Sequence, residues 1–279
     1  MPVLPQSLRL VYHHSEPHPR DVALPEVYLD LPFPGGPNGR PYLFANMVQT
    51  FDGQAVLRGT AYAIGTDVDH YMLRQLRVNA DAVLSGAGTV RKDDVIITTH
   101  AHLQERRAER GQPRNPLAVV VTATCAFDDG VLTTKRFFRR TDLNRLIVTT
   151  GRAAADDIAR VRGRGVEVEV VDADAAGEVD LDVLLRYLRQ RRGAQRVLCE
   201  GGPTLLAALA RRGLVDEFFV TTTLRLGGDP NALRIVNLPV TDRPLHLISE
   251  MHYADESGVR ELYLRFRFPG ASARAGPGS

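Results

Sequence analysis

The sequence predicts an α/β fold with a mostly parallel sheet and antiparallel strands near its C-terminal end. Between residues 42 and 211, short apolar runs alternate with stretches of helical periodicity. This is the pattern of parallel strands joined by helical crossovers. After residue 213, three strand-like runs follow one another without a helix between them. Consecutive strands of this kind indicate antiparallel additions at one edge of the sheet.

The strands are predicted from runs of apolar residues that are bounded by turn residues. Most of the runs are continuously apolar, which is typical of strands buried on both faces. The predicted strands are Tyr42–Val48, a run that begins at Ala82–Leu84, Leu117–Thr122, Leu146–Thr150, Val166–Val171, Arg196–Cys199, Glu217–Leu224, Leu245–His252 and Arg260–Phe268.

Apolar residues at helical spacing predict the intervening helices. Val68, Met72 and Leu76 share one helical face, and Thr66 with Asp69 forms a variant of the capping box at its start. Proline favours the first turn of a helix and glycine the position after its last turn. The further predicted helices are Ala153–Arg162, Leu181–Arg191 and one that starts at Pro203 and ends before Gly213.

Composition excludes several classes of protein. The 279 residues are 44% hydrophobic and carry a formal net charge of +2, so they do not suggest a nucleic-acid or anionic-membrane binder. No stretch approaches the roughly 20 apolar residues of a membrane span. The N-terminus lacks the apolar run of a signal peptide, and the two cysteines suit a reducing compartment. We therefore expect a cytoplasmic protein, and the spacing of its eight histidines predicts no metal site.

Three regions are predicted along the chain. Residues 1–40 are rich in proline and irregular, which predicts an extended arm packed on the surface. Residues 41–269 form the predicted domain. Residues 270–279 read GASARAGPGS, a composition typical of a disordered tail.

Two glycine-rich segments stand where a strand leads into a helix. Gly86 and Gly88 follow the apolar run Asp81–Ser85, although Arg91 stands where the dinucleotide fingerprint has its third glycine. Gly201 and Gly202 follow Glu200 in the second segment. Each could be an ordinary structural turn. Together they could face one dinucleotide at the carboxyl edge of a parallel sheet, where backbone amides approach phosphate.

A third segment, Thr50 to Ala55, contains the turn pair Asp52-Gly53. In isolation a surface turn is the favoured interpretation of this pair.

Taken in order, these segments resemble the reductase domain of the bifunctional riboflavin-biosynthesis deaminase/reductase and its stand-alone homologues. The motifs are FDGQA, LRVNADAVLSGAGTVRKDD and VLCEGGPTLLAALARRGLVDE, and the resemblance runs from about Arg40 to Phe268. It implies a dihydrofolate-reductase-like three-layer fold, NADPH as the cofactor and a homodimer. It also implies a small-molecule substrate, a phosphorylated ribosylaminopyrimidine whose ribose is reduced to a ribityl chain.

The resemblance assigns candidate site residues. Asp52 and Glu200 are the catalytic candidates, Asp52 to organise proton transfer and Glu200 to hold the substrate near its reacting end. Arg77 would anchor an anionic group of the substrate, and Arg152 is our own candidate for the 2′-phosphate of NADPH. The substrate candidates are Arg77, Ala61, Ile97, His100 and Glu200. The cofactor candidates are Gly86, Gly88, Thr89, Asp93, Thr150, Arg152, Gly201, Gly202, Pro203, Thr204 and Leu205.

The chain also departs from the family pattern. Ala61 and Ala63 stand where the family often has serine and tryptophan, and His100 stands where it often has arginine. The cofactor half of the pattern is intact and the substrate half is altered. We therefore expect poor use of the phosphorylated pyrimidine, or reduction of a related heterocycle without that phosphate. A zinc deaminase needs P-C-x-x-C, which is missing, so no deaminase activity is expected.

Two alternatives stay open at this point. The same fold could carry a dihydrofolate or dihydropterin reductase. The altered substrate positions also allow a non-catalytic NADP-binding protein.

Overall fold

The computed structural model describes residues 4–236 and 244–268. The predicted tail, residues 270–279, lies outside them. The described residues form two compact units. The first unit comprises residues 1–31, 43–76 and 203–279, and the second comprises residues 32–42 and 77–202, each counted over its described part.

Eleven strands and eight α-helices are present in the described residues. The strands are β1 Ser7–His13, β2 Arg20–Ala23, β3 Tyr42–Thr50, β4 Ala82–Gly86, β5 Leu117–Val121, β6 Arg145–Thr149, β7 Glu167–Val170, β8 Arg196–Cys199, β9 Glu217–Thr223, β10 His246–Asp255 and β11 Gly258–Arg267. The helices are α1 Asp67–Leu76, α2 Ala87–Lys92, α3 Ala101–Glu109, α4 Asp129–Thr134, α5 Arg136–Arg139, α6 Ala155–Arg162, α7 Leu181–Arg191 and α8 Pro203–Arg211.

The second unit contains an entirely parallel sheet in the order β8-β4-β5-β6-β7. Every residue of β6 is buried, as is the centre of β5, which explains their continuous apolar sequences. Helix α7 buries Leu181, Leu184, Leu185 and Leu188, four leucines at helical spacing on one face.

The sheet of the first unit is mostly antiparallel. Strands β2, β1, β10, β11 and β9 pair antiparallel in that order, and β3 pairs parallel with β9. Phe44, Phe219 and Tyr263 are among its largest fully buried side chains. The predicted parallel body with antiparallel C-terminal strands is therefore confirmed.

The N-terminal arm was predicted to be irregular, and this was wrong. It forms β1 and β2, and β1 pairs with β10. Leu8 and Leu10 are buried while Ser7 and Arg9 are exposed, so the alternation of a half-buried strand was present in the sequence. Pairing with β1 and β9 also leaves neither β10 nor β11 with a free edge.

The start of α1 differs from the predicted capping box. The Thr66 hydroxyl accepts a hydrogen bond from the Val68 amide at 3.2 Å, as a cap does. The Asp69 carboxyl is instead buried and bonds to the Thr221 hydroxyl. Among the described residues, no helix combines the length and the apolar character needed to cross a membrane.

Candidate functional site

Four neighbouring strand ends form one edge of the sheet in the second unit. They belong to β8, β4, β5 and β6, which are parallel and adjacent in this order. Neighbouring strands lie about 4.8 Å apart, so the ends of β8 and β6 are separated by roughly 14 Å. The carboxyl edge of a parallel sheet is where nucleotides bind in open α/β folds. Both glycine-rich turns and Thr150 lie at this edge.

The structure brings the two glycine-rich turns together. The Gly86 amide donates a hydrogen bond to the Gly201 carbonyl at 2.8 Å, and the Glu200 amide donates to the Leu84 carbonyl at 2.9 Å. Gly201 has a φ of +82°, a conformation that favours glycine. The sequence predicted that both turns serve one ligand, and this contact makes that geometrically possible.

Space around the turns differs from one glycine to the next. A Cβ atom on Gly88 would meet nothing within 4 Å, whereas one on Gly202 would lie 2.9 Å from the Thr89 hydroxyl oxygen. Thr89 and Gly202 are therefore neighbours, as their joint assignment to a cofactor requires. Asp93 lies at the end of α2, where its amide donates to the Thr89 carbonyl at 2.7 Å. Three further candidates, Pro203, Thr204 and Leu205, form the first turn of α8 in the first unit.

Ser85 was missed by the sequence reasoning. It is the residue before Gly86, its side chain is buried, and its hydroxyl has no hydrogen-bond partner among the described residues. A buried hydroxyl without a partner costs free energy, so it marks a place where a ligand or water bonds. A polar residue at the end of an apolar strand was the available signal. Ser85 and the open space at Gly88 fit a nicotinamide dinucleotide at this edge.

Thr150 and Arg152 follow β6 at the far end of the same edge. The Thr150 hydroxyl is buried and donates to the Ala123 carbonyl at 2.9 Å, and it accepts from the Arg152 amide at 3.2 Å. Thr150 thus fixes the turn that carries Arg152. The Arg152 side chain is 54% exposed, and its Nη1 donates to the Gly177 carbonyl at 3.2 Å. This guanidinium is accessible to an anionic ligand.

Arg77 and Glu200 form a buried ion pair. Arg77 Nε and Nη2 donate to the two Glu200 carboxylate oxygens at 2.6 and 2.7 Å, while Nη1 donates to the carbonyls of Ile96 and Thr98 at 2.8 and 3.0 Å. Their side chains are only 6% and 8% exposed. The guanidinium therefore fixes the segment around Ile97 and the glutamate that precedes Gly201. A direct contact between Arg77 and substrate would require these bonds to rearrange.

The remaining substrate candidates lie in different surroundings. Ile97 is 1% exposed, so its side chain belongs to the core. His100 is half-buried at the start of α3, and its ring stacks on His102 with centroids 5.5 Å apart. Ala61 is half-buried in a turn of the first unit. Beside it, the exposed ring of Tyr62 stacks on His70 at 3.9 Å, a feature that the sequence reasoning missed.

Asp52 holds two loops of the first unit together. Its carboxylate accepts from the amides of Gly227 and Gly228 at 2.9 and 3.1 Å and from the Gln54 side-chain amide at 3.0 Å. The Gly227 amide, the Thr50 hydroxyl and the Gly228 amide together hold the pKa of this carboxyl well below its usual range. Asp52 is therefore ionised at neutral pH, and in this state it accepts hydrogen bonds and has no proton to give.

Cys199 and the histidines show no sign of other chemistry. Burial raises the pKa of the Cys199 thiol to about 12, so it stays protonated. Within residues 4–236 and 244–268, no group of three or more histidine, cysteine, aspartate or glutamate side chains could hold a metal ion.

The family is decided by comparison with known proteins. The sequence profile of the RibD C-terminal domain family matches residues 41–259. The chain belongs to this family. The predicted resemblance is thereby confirmed.

Relatives in the family carry a specific activity in their names. A 2,5-diamino-6-ribosylamino-4(3H)-pyrimidinone 5′-phosphate reductase of Archaeoglobus fulgidus is 34% identical over 180 residues, which are 64% of this chain and 78% of the relative. The reductase of the same name from Methanothermobacter thermautotrophicus is 30% identical, over 71% of this chain and 84% of the relative. The relatives of this RibD-family chain are thus named as reductases, as predicted.

Solved structures show the same fold. A pyrimidine reductase-like protein of Corynebacterium diphtheriae has a TM-score of 0.68 at 22% identity, covering 81% of this chain and 91% of that protein. The riboflavin biosynthesis reductase of Saccharomyces cerevisiae has a TM-score of 0.62 at 16% identity, covering 88% and 97%. The predicted fold class, an α/β fold with a mostly parallel body and antiparallel C-terminal strands, is confirmed.

Proposed function

We propose that this chain is an NADPH-dependent reductase that transfers hydride to an imine or carbonyl carbon of a ribosylaminopyrimidine or a related small heterocycle. The observation that carries this proposal is the hydrogen bond between Gly86 and Gly201, because it joins the two glycine-rich turns at one sheet edge in a member of this family. The names of the relatives support the class of substrate.

The cofactor, when bound, supplies the hydride, and the chain's residues hold and orient it. The amide of Gly88, an exposed residue in the first turn of α2, and the Ser85 hydroxyl would bond to its polar groups near the β4 end. Arg152 would pair with its 2′-phosphate near the β6 end, since a guanidinium fits phosphate geometry. The roughly 14 Å edge from β8 to β6 suits an extended dinucleotide.

On the substrate side, the contacts favour positioning roles. Arg77 would hold Glu200 and the segment around Ile97 in place. Glu200 would orient the substrate through the lone pairs of its carboxylate oxygens that are not bonded to Arg77. Asp52 would organise its loop as an ionised acceptor. The proton that completes the reduction would therefore come from a group other than Asp52.

We expect weak binding of a phosphorylated substrate for three reasons. The first is that the Arg77 guanidinium is already bonded to Glu200 and to two backbone carbonyls. Ala61 lacks a hydroxyl, and a histidine at position 100 lacks the forked guanidinium that pairs with phosphate through two hydrogen bonds. Losing two such contacts costs roughly 2–5 kcal/mol. The matched comparison is the wild type against a double variant, Ala61→Ser with His100→Arg, and we expect the double variant to have a lower KM for the phosphorylated pyrimidine.

The decisive assay follows NADPH absorbance with the pyrimidine 5′-phosphate, its dephosphorylated form and dihydrofolate in parallel. We expect oxidation of NADPH with one of the two pyrimidines. Turnover only with dihydrofolate would favour the folate alternative. Tight NADPH binding without turnover on the whole panel would favour a non-catalytic NADP-binding protein.

A glycine pair provides a matched test of the cofactor site. Gly202→Val should abolish NADPH binding, because its side chain would press on Thr89 and fill the turn. Gly35→Ala should bind NADPH within a few-fold of the wild type, because Gly35 is not among the candidate site residues and its Cβ meets no protein atom within 4 Å. Binding is measured by NADPH fluorescence, and circular dichroism checks the fold of each variant. Normal NADPH binding by Gly202→Val would mean that the turn is purely structural.

Two further parts of the proposal are a homodimer and a cytoplasmic location. The homodimer rests on the family resemblance and the cytoplasmic location on the two cysteines, and the covered edges of β10 and β11 give the dimer no additional support. Light scattering at micromolar concentration distinguishes one chain from two.

A further inference from the structure

A short turn in the second unit, Asp174–Glu178, contacts the guanidinium assigned to the 2′-phosphate. Arg152 Nη1 donates to the Gly177 carbonyl at 3.2 Å and lies 4.0 Å from a Glu178 carboxylate oxygen. Both ionic side chains are more than half exposed, so each can meet a ligand from solvent. The Arg152 side chain therefore has one carbonyl and one loosely placed carboxylate as neighbours.

The turn is held by its own hydrogen bonds. The Asp174 amide donates to the Glu178 carbonyl at 2.7 Å, and the Gly177 amide donates to the Asp174 carbonyl at 2.9 Å. The Asp174 side chain accepts from the amides of Ala176 and Glu178 at 2.9 and 3.0 Å. Ala173 and Val179 pair as an antiparallel bridge at its base. These bonds fix where the Gly177 carbonyl and Glu178 lie.

Gly177 is needed at its position for two reasons. Its φ is +78°, which favours glycine. A Cβ there would lie 2.9 Å from Arg152 Nη1 and 3.2 Å from its Cδ. Any side chain at residue 177 would thus displace Arg152 from its present position.

The charges of Arg152 and Glu178 favour different nucleotides. A guanidinium pairs with the 2′-phosphate of NADPH, whereas a carboxylate repels that phosphate and accepts a hydrogen bond from the 2′-hydroxyl of NADH. We propose that the turn Asp174–Glu178 determines the preference between NADPH and NADH. Gly177 positions Arg152 for the 2′-phosphate of NADPH, and Glu178 reduces the preference for NADPH over NADH. This rests on the proposed use of NADPH.

The test measures dissociation constants of NADPH and NADH for the full chain by fluorescence titration, without substrate and at low ionic strength, where exposed charges are least screened. Arg152→Ala should weaken NADPH by about 10-fold or more and leave NADH within about 2-fold. Glu178→Gln should raise the ratio of the NADH to the NADPH dissociation constant by about 3- to 10-fold. Glu109→Gln, which removes an exposed carboxylate from α3, is the charge-matched control and should leave the ratio unchanged.

Gly177→Ala adds a test of geometry without a change of charge. It should weaken NADPH by several-fold and leave NADH unaffected, and its thermal unfolding is measured to check the fold. The inference is overturned if the ratio of the NADH to the NADPH dissociation constant is the same in Glu178→Gln, Glu109→Gln and the wild type. It is also overturned if Arg152→Ala weakens the binding of both nucleotides equally. In either case NADPH binding by the wild type would stand, and with it the proposed reductase activity, although an equal loss in Arg152→Ala would also remove the assignment of Arg152 to the 2′-phosphate. If the wild type binds neither nucleotide, the proposed function and the inference both fail.

Discussion

Glu200 in the second unit and Asp69 in the first unit are buried carboxyl groups that are neutralised in different ways. In the second unit, Glu200 faces the Arg77 guanidinium at 2.6 Å. In the first unit, Asp69 is 5% exposed, lies near the carboxyl of Glu261 and bonds to the Thr221 hydroxyl. Burial disfavours an isolated charge in both places. A neighbouring cation offsets the free energy of burying the charge on Glu200, whereas a bound proton removes the charge on Asp69.

Burial and a neighbouring carboxyl determine that Asp69 takes up the proton in the first unit. Glu261 accepts from the Thr66 amide and hydroxyl, both at 2.7 Å, and from the Tyr263 hydroxyl. Burial and the neighbouring Glu261 raise the pKa of Asp69 to about 7, so Asp69 is the group that holds the proton.

The largest effect is expected from breaking the ion pair. Arg77→Met removes the cation and leaves Glu200 buried without a counter-charge, and it also leaves the carbonyls of Ile96 and Thr98 without their donor. The free energy of unfolding should fall by about 3–5 kcal/mol, measured by urea denaturation. A loss below about 1 kcal/mol would show that water reaches this pair.

The double variant, Arg77→Met with Glu200→Gln, tests the cause of that loss. Removing the charge of Glu200 should recover part of the stability, because the uncompensated charge is gone. If the double variant is less stable than Arg77→Met, packing and not charge accounts for the effect.

Asp69→Asn is expected to change the free energy of unfolding by a somewhat smaller amount, and this change depends on pH. The folded pKa of about 7 lies above the unfolded value of 3.8, so the folded protein binds more protons between these pH values. The contribution of Asp69 to stability is therefore fully present below about pH 4 and is lost as the pH rises to about 7. The asparagine variant should gain about 2–4 kcal/mol relative to the wild type between pH 4 and pH 8.

Urea denaturation of both proteins across this pH range makes the measurement. Asp67→Asn, an exposed change in the same helix, is the control and should follow the wild type within about 0.5 kcal/mol. Parallel curves for the wild type and Asp69→Asn would contradict a proton on Asp69.

The smallest loss of stability is expected from breaking an ion pair whose two side chains are both exposed to water. Arg140 and Asp142 form an ion pair whose side chains are 35% and 56% exposed. Asp142→Asn should cost no more than about 1 kcal/mol, and the cost should shrink in 0.5 M salt. A cost as large as that of Arg77→Met would mean that burial does not separate these pairs.

The sequence by itself determined most of the elements and the family. Strands such as Arg196–Cys199 and the helix Leu181–Arg191 have the predicted bounds, because periodicity and turn residues are local signals. The arm was harder to predict: β1 is a strand because β10 pairs with it, and this pairing joins residues more than 200 positions apart. The short helices α3 to α5 were missed because their sequences are largely polar or brief.

The tertiary structure alone decided what the candidate residues touch. Sequence motifs identified Arg77, Glu200 and Asp52, but only the fold shows that Arg77 is committed to Glu200 and that Asp52 is held ionised by distant amides. The same holds for Ser85, whose hydroxyl is notable only because it is buried without a partner. A hydrogen bond or a pKa depends on the neighbours in space, and those neighbours come from parts of the chain that no local pattern connects.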